Sequence, residues 1–271
     1  MPELPEVETT GNGIRPYVEQ QIIIQLEVRE PRLRWPVPPE LPKLVANKPV
    51  LSLKRRGKYL LFEFERGVLL VHLGMSGSLR VVECAEEPLR KHDHVIWQFQ
   101  SHQLRFHDPR RFGCVLWTQA PVNQHPLLSG LGPEPLTADF SAEYLYAIAK
   151  KRKVAIKSLI MNSKVVVGVG NIYACEALFK AGISPKRTAN RVSLARIERL
   201  VAAIKEVLQQ AIQAGGTTLR DFVNGFDQPG YFKQQLSVYG RADKPCVSCA
   251  EPLTEIRLQQ RSTVFCHRCQ R

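Results

Sequence analysis

The sequence predicts an α+β multidomain protein, and three observations carry the prediction. Apolar residues alternate at period two in short runs through about residue 120, the period then becomes helical, and four cysteines near the end stand as C-x2-C-x16-C-x2-C. The expected architecture is an N-terminal antiparallel β-sandwich, a C-terminal helical domain and a C-terminal zinc-finger β-hairpin, with boundaries at 1–131, 132–236 and 237–271.

The strands come first. "IIIQLEV" at 22–28 places Ile22, Ile24, Leu26 and Val28 on one face, as a half-buried strand requires. Similar runs follow at "VLSLKRR", "KYLLFEF", "VLLVHL", "SLRVVE", "HVIWQF", "QLRFH" and "CVLW", separated by glycine and proline, which is the pattern of an antiparallel sandwich. The stretch "APVNQHPLLSGLGPEPL" breaks that period and reads as a linker. Beyond it, one helix begins near Asn171 and stops at Gly182. A second is capped by Ser193, carries Leu194, Ile197, Val201, Ile204, Leu208 and Ala211 as one apolar stripe, and closes at Gly215 and Gly216. "TTLRDFVNGFDQPGYF" at 217–232 is rich in turn formers and reads as a mobile loop.

Charge narrows the function. Thirty-eight Lys and Arg against 25 Asp and Glu give +13 over 271 residues, which favours polyanions. No run approaches the roughly 18 apolar residues of a membrane span. Glu3, Glu6 and Glu8 stand where a signal peptide carries positive charge, so a soluble cytoplasmic protein is expected.

Of seven cysteines, Cys84, Cys114 and Cys175 are scattered and read as small apolar core residues. Cys246, Cys249, Cys266 and Cys269 have the spacing that closes four thiolates around zinc, a pair of disulfides being the alternative.

Several stretches could carry chemistry. "MPELPEVETT" has two readings: an ordinary helix start, with Pro5 in the first turn and Glu6 and Glu8 at the positive end of the dipole, or a reactive terminus. Removal of Met1 would leave Pro2 with a secondary amine that is partly unprotonated, and nucleophilic, at neutral pH. "VVVGVGN" resembles a dinucleotide fingerprint but has Tyr173 in place of the third glycine; Gly168 and Gly170 serve instead to turn into a helix whose start, with Asn171, faces outward to a phosphate. Lys150, Lys151, Arg152, Lys153, Lys157 and Lys164, with no acidic residue among them, form either a solvated face or a phosphate track. His92 and His94 of "KHDH" lack a completing ligand pattern for a metal, and His92 suits a phosphate contact. Met75, at the tip of the glycine turn "HLGMSG", is the kind of residue that wedges into a base stack.

Taken together, "PELPEVET", "RRGKYL", "HLGMSGSLR", "KHDH", "DPRRFG", "LGPEPL", "VVVGVGNIYA", "GGTTLRDF", "PGYF", "VYGR" and "RSTVFCHRCQ" resemble the bacterial formamidopyrimidine-DNA glycosylases in consistent order along essentially the whole chain. The resemblance implies a helix-two-turn-helix in the helical domain and a bifunctional glycosylase and AP lyase that excises 8-oxoguanine and formamidopyrimidines. It implies Pro2 as nucleophile, Glu3 as adjacent acid, Lys58 as proton donor for β-elimination and Arg261 for δ-elimination, the last serving also to hold phosphate. His92, Arg110, Arg152 and Asn171 match DNA-contact positions, and Met75, Arg110 and Phe112 match the trio that fills the gap left by the extruded base. The implied cofactor is one structural zinc and no organic group; the implied partner is duplex DNA with an oxidised purine opposite cytosine, bound by a monomer in the bacterial cytosol. His107 stands where a threonine is frequent, and Leu4 argues against the endonuclease VIII-like "PEGPE" terminus and its oxidised pyrimidines. A zinc-ribbon DNA-binding protein without activity leaves Pro2 and Glu3 unexplained; a proline tautomerase leaves the zinc motif unexplained.

Overall fold

The structure, a computed structural model, describes residues 2–83, 87–216 and 235–271. Its elements are α1 (Leu4–Val18), β1 (Ile22–Ile23), β2 (Gln25–Val28), α2 (Leu41–Val45), β3 (Lys48–Pro49), β4 (Ser52–Arg56), β5 (Tyr59–Phe64), β6 (Gly67–His72), β7 (Ser78–Glu83), β8 (Asp93–Gln98), β9 (His102–His107) and β10 (Cys114–Thr118). They continue as α3 (Ala142–Lys150), α4 (Ile156–Ile160), α5 (Asn171–Lys180), α6 (Leu194–Gln213), β11 (Thr254–Leu258) and β12 (Arg261–Phe265). By compactness, residues 2–129 with 214–216 form one unit, and 130–213 with 235–271 a second.

The first unit is two four-stranded antiparallel sheets, ordered β10-β6-β5-β4 and β2-β8-β9-β7. Their inner faces meet where Phe62 of β5 stacks on Trp97 of β8, with ring centroids 6.4 Å apart. Leu60, Leu69 and Val71 from one sheet and Val95, Leu104 and Phe106 from the other complete this core. Each such side chain contributes about 1.5–3 kcal/mol on burial. Helix α1 adds Val7, Ile14 and Val18 to the same core, so the N-terminus is anchored by packing instead of fraying.

One strand departs from its expected register. Ile22 and Ile24 are 54% and 47% exposed, while Ile23 and Leu26 are buried. The segment is two strands: Ile22–Ile23 pairs with β3, and Gln25–Val28 pairs with β8. The change of partner at Ile24 shifts the inward face by one residue.

In the second unit, the Ser141 hydroxyl accepts from the Tyr144 N–H at 3.2 Å and starts α3. The α6 stripe is buried as its period requires, except that Leu194 in the first turn is exposed. Val165, Val166 and Val167 are buried without forming a strand, and Gly168 takes a φ of +80° to turn toward α5, which removes the dinucleotide reading on geometry. The β11–β12 hairpin shares a small core with α5 through Cys175, Phe179, Leu253 and Val264. No helix among the described residues is long and apolar enough to cross a membrane. The 217–232 stretch and Cys84 lie outside the described residues; Cys114 and Cys175 are buried.

Candidate active site and metal centre

Pro2 and Glu3 are buried even though they are nearly the first residues of the chain. Glu3 is the N-cap of α1, and a capping box joins it to Glu6: the Glu3 backbone N–H donates to Glu6 Oε2 at 2.8 Å. Both readings of the terminus therefore describe the same residues, because the helix start is what holds Pro2 and Glu3 in place. One turn further along α1, Glu8 accepts from Arg55 Nε at 2.5 Å, and Arg55 Nη1 donates to the Gly57 carbonyl at 3.0 Å. That bridge ties the two-residue turn bearing Lys58 to the helix bearing Glu3. Glu6, Glu8 and Arg55 escape the sequence reading as positioning groups; the Glu-x-x-Glu spacing of a capping box was the available signal.

Met75 and Phe112 are 38% and 40% exposed, and the Arg110 guanidinium lies over the Phe112 ring, 4.8 Å from its centroid. Backbone sterics put them side by side. Gly74 has a φ of +67°, and a Cβ there would run into the backbone of Phe112 and Gly113. Buried Asp108 organises both loops: its carboxylate accepts from Ser76 Oγ at 3.0 Å, from the Arg110 N–H at 3.3 Å and from the Gly113 N–H at 2.8 Å. Arg111 at the loop tip has a φ of +56°, a strained conformation for a residue with a Cβ. A cavity of about 740 Å³ opens beside these loops. Within its wall His72 Nδ1 accepts from the Gly74 N–H at 2.9 Å, and burial, with the Lys58 and Arg34 charges, pushes the imidazole down to about 4.

His92 packs edge-on against His94 and His107, at centroid distances of 5.8 and 5.9 Å. Burial, followed by the His107, His94 and Lys91 charges, holds its imidazole below the usual range. His94 is engaged with the Asp108 carbonyl at 2.8 Å, and among the described residues neither histidine falls in a group that could hold a metal ion. Behind them, fully buried Asp93 accepts from His107 Nδ1 at 2.9 Å and from the Arg90 N–H at 2.9 Å, with Arg80 3.4 Å away. Burial pushes its carboxyl up, but those partners outweigh it and bring it down to about 2.

In the second unit, Arg152 is exposed just past α3, and Arg261 is exposed at the tip of the β11–β12 hairpin. Gln259 and Gln260 form that two-residue tip with φ values of +47° and +60°. Lys157 is a correction to the phosphate track: it is 1% exposed. Its Nζ donates to Asn171 Oδ1 and to Thr263 Oγ1, both at 2.6 Å. Asn171 also differs from expectation, since its Nδ2 donates inward to the Ser262 carbonyl at 2.9 Å. The same Nζ also reaches the Ser262 carbonyl at 3.2 Å, so the buried ammonium is met by acceptors on the hairpin and at the start of α5.

The Cys246, Cys249, Cys266 and Cys269 sulfurs all lie within 4.8 Å of one another, with Cys246–Cys269 at 3.9 Å and Cys249–Cys266 at 3.5 Å. Zinc–thiolate bonds of about 2.3 Å set tetrahedral sulfurs about 3.8 Å apart, so the four fit one Zn2+. Disulfide bonding, at about 2.05 Å, does not fit. The Ser248 and Cys269 N–H groups point at the Cys246 and Cys266 sulfurs, at 3.5 and 3.4 Å, as donors to thiolates.

Comparison with known proteins fits this arrangement. The formamidopyrimidine-DNA glycosylase N-terminal domain matches residues 1–115, the formamidopyrimidine-DNA glycosylase H2TH domain residues 131–223, and the zinc finger found in FPG and IleRS residues 243–271. The chain belongs to the formamidopyrimidine-DNA glycosylase family. Formamidopyrimidine-DNA glycosylases from Alcanivorax borkumensis and Marinobacter nauticus are 58% and 56% identical to it, with both chains covered in full. The MutM (FPG) protein of Thermus thermophilus superimposes with a TM-score of 0.90 at 37% identity, covering 99% of this chain and 98% of its own. A Lactococcus lactis FPG mutant bound to DNA containing Fapy-dG superimposes with a TM-score of 0.92 at 33% identity, covering 99% of each chain. The zinc-finger match and the sulfur geometry agree on one structural Zn2+ in this chain.

Proposed function

We propose that the chain is a bifunctional DNA glycosylase and AP lyase of base excision repair, acting on oxidised purines such as 8-oxoguanine and formamidopyrimidines opposite cytosine. The observation that carries this reading is the burial of Pro2 and Glu3 together at the first turn of α1, where the Glu3–Glu6 capping box fixes the carboxylate beside the proline. The family membership supports the same reading.

Once Met1 is removed, the Pro2 amine attacks C1′ of a nucleotide rotated out of the duplex. The bond from C1′ to the base breaks, the base leaves with a proton, and an iminium joins Pro2 to the opened sugar. Glu3 protonates the ring oxygen as the ring opens. Loss of the C2′ proton to water expels the 3′ phosphate, which takes a proton from Lys58, and loss of the C4′ proton to water expels the 5′ phosphate in a second elimination. Arg261 stays cationic near neutrality, so its role in that step is to hold the departing phosphate. His92, Arg110, Arg152 and Asn171 contact the DNA backbone or bases. Asn171, its Oδ1 taken by Lys157, has its second Nδ2 hydrogen and, as the first residue of α5, its backbone N–H for this. Met75, Arg110 and Phe112 fill the vacated stack. The zinc is structural and holds the hairpin that carries Arg261. The protein works in the cytosol as a monomer, with the units bounded at 1–131, 132–236 and 237–271.

The test is borohydride reduction on a duplex carrying 8-oxoguanine opposite cytosine, followed by mapping of the adduct. A covalent complex at Pro2 of a protein lacking Met1 is expected. An adduct at another residue, or none, overturns the assignment.

A further inference from the structure

We propose that Arg55 is a positioning residue of the elimination step: by joining Glu8 of α1 to the turn that bears Lys58, it sets the Lys58 ammonium relative to Pro2 and determines how closely strand cleavage follows base excision. The inference rests on the glycosylase and lyase reading above.

Lys58 stands on a two-residue hairpin turn between β4 and β5, closed by the Arg56–Tyr59 pair. Gly57 takes a φ of +57°, as the first central residue of a II′ turn requires, and Lys58 is the second. The hydrogen bond of such a turn runs between its outer residues and leaves the central peptide unengaged, so a flip of that peptide separates II′ from I′ geometry. Here the central peptide joins Gly57 to Lys58, and being planar it carries the Lys58 Cα with it. Arg55 Nη1 donates to its carbonyl oxygen at 3.0 Å, while Nε of the same guanidinium donates to Glu8 Oε2 at 2.5 Å. One rigid planar group thus fixes the carbonyl against the carboxylate. The Arg55 and Glu8 side chains are 13% and 24% exposed, which shields the pair from the screening that weakens open surface pairs.

The helix at the other end of this bridge is firmly seated. At Gly11, α1 lies so close to β5 that a Cβ would meet Leu60 Cδ2 at 3.0 Å, and Glu19 past its end accepts from the Leu53 N–H at 2.7 Å. Of these contacts, the Arg55 bridge is the one that reaches the turn.

Excision and elimination depend on the bridge unequally. Glu3 is placed by its capping box with Glu6, whereas Lys58 is placed through the turn. In the elimination the C2′ proton goes to water and its electron pair forms the C2′–C3′ double bond. The C3′–O bond breaks, and the departing phosphate takes a proton from Lys58, which regains one from water. A lysine displaced by about an ångström slows that transfer about tenfold or more, while the attack by Pro2 that precedes it keeps its geometry.

The experiment follows two products of the zinc-loaded full chain in single turnover on a duplex with 8-oxoguanine opposite cytosine: free base, and strand broken without added alkali. A second duplex with a preformed abasic site bypasses base excision. For Arg55→Met we expect strand cleavage slowed about tenfold on both duplexes and base release within about threefold of the wild type. More enzyme should then be trapped at Pro2 by borohydride midway through the reaction. Arg55→Lys keeps a charge for Glu8 but lacks the planar fork, and should stay slow. Glu8→Ala makes the same test from α1, and the double variant should be no slower than either single one. Equal slowing of base release and strand cleavage, additive losses in the double variant, or wild-type cleavage by Arg55→Met overturns the proposal. Without a Pro2 adduct in the wild type the lyase reading fails; with that adduct intact and no split, only the role of Arg55 fails.

Discussion

Lys157 Nζ donates to Asn171 Oδ1 at 2.6 Å inside the second unit, and the same ammonium reaches Thr263 Oγ1, whose hydroxyl in turn donates to the Arg261 carbonyl at 3.1 Å. A buried cation thus joins the first residue of α5 to the hairpin that carries Arg261.

Replacing Lys157 with Met keeps the volume but leaves Asn171 Oδ1 and Thr263 Oγ1 without their donor. The expected cost is about 1–3 kcal/mol of stability in the second unit. Zinc content should be unchanged, while amide exchange at Ser262 and Val264 accelerates and DNA binding weakens. Unchanged exchange would show that the ammonium does not hold the hairpin.

Zinc acts on the same hairpin from its other end. Cys266 is fully buried among the four sulfurs, so Cys266→Ser leaves an incomplete ligand set. Binding a structural zinc contributes on the order of 10 kcal/mol to such modules. The variant is expected to lose its metal and tight DNA binding, and to keep the thermal transition of the Phe62–Trp97 sandwich core. Metal analysis with calorimetry checks both halves, and DNA binding that survives metal loss would refute the role.

The Lys157 contacts also show which part of the site a sequence conceals. The strand runs, the α6 stripe and the cysteine spacing are local patterns, and all were legible. Lys157 and Thr263 are 106 positions apart, so nothing nearby in the chain marks Lys157 as buried; its neighbours Lys150 to Lys153 made it look solvated. Asn171 turned inward for the same reason. Ile22 and Ile24 were misplaced because alternation holds only while a strand keeps one partner, and here the partner changes at Ile24. Asp108 lies within the "DPRRFG" stretch with no role assigned to it, although it holds Ser76 from another loop.

Asp93 predicts the acid limit of the sandwich. Its carboxyl is lowered on folding to about 2. A lowered carboxylate contributes stability above its unfolded value, near 3.9, and loses it as pH falls through the folded value. The wild type should therefore lose this contribution between about pH 4 and pH 2. His107→Thr removes the strongest of the lowering partners, so the folded value rises toward the unfolded one and the acid loss should be smaller and end at a higher pH. Thermal melts from pH 7 to 2.5 check it; superimposable profiles for the two proteins would remove His107 from the account.

Arg110 predicts the choice of opposite base. Phe112 holds its guanidinium at 4.8 Å, so the donors are ordered before DNA arrives. An extruded 8-oxoguanine leaves its partner cytosine with N3 and O2 as unpaired acceptors, which those donors fit. Adenine there presents its N6 donor beside N1, and a desolvated donor goes unpaired. That mismatch costs on the order of 1–3 kcal/mol, roughly a tenfold to hundredfold preference for cytosine. Excision opposite adenine would fix a mutation, whereas excision opposite cytosine restores the original pair, so the bias suits repair. Arg110→Ala is expected to slow excision opposite cytosine far more than opposite adenine, compressing the preference toward one. Single-turnover rates on the two duplexes decide it: an unchanged ratio would leave Arg110 only a filler of the vacated stack or a phosphate anchor.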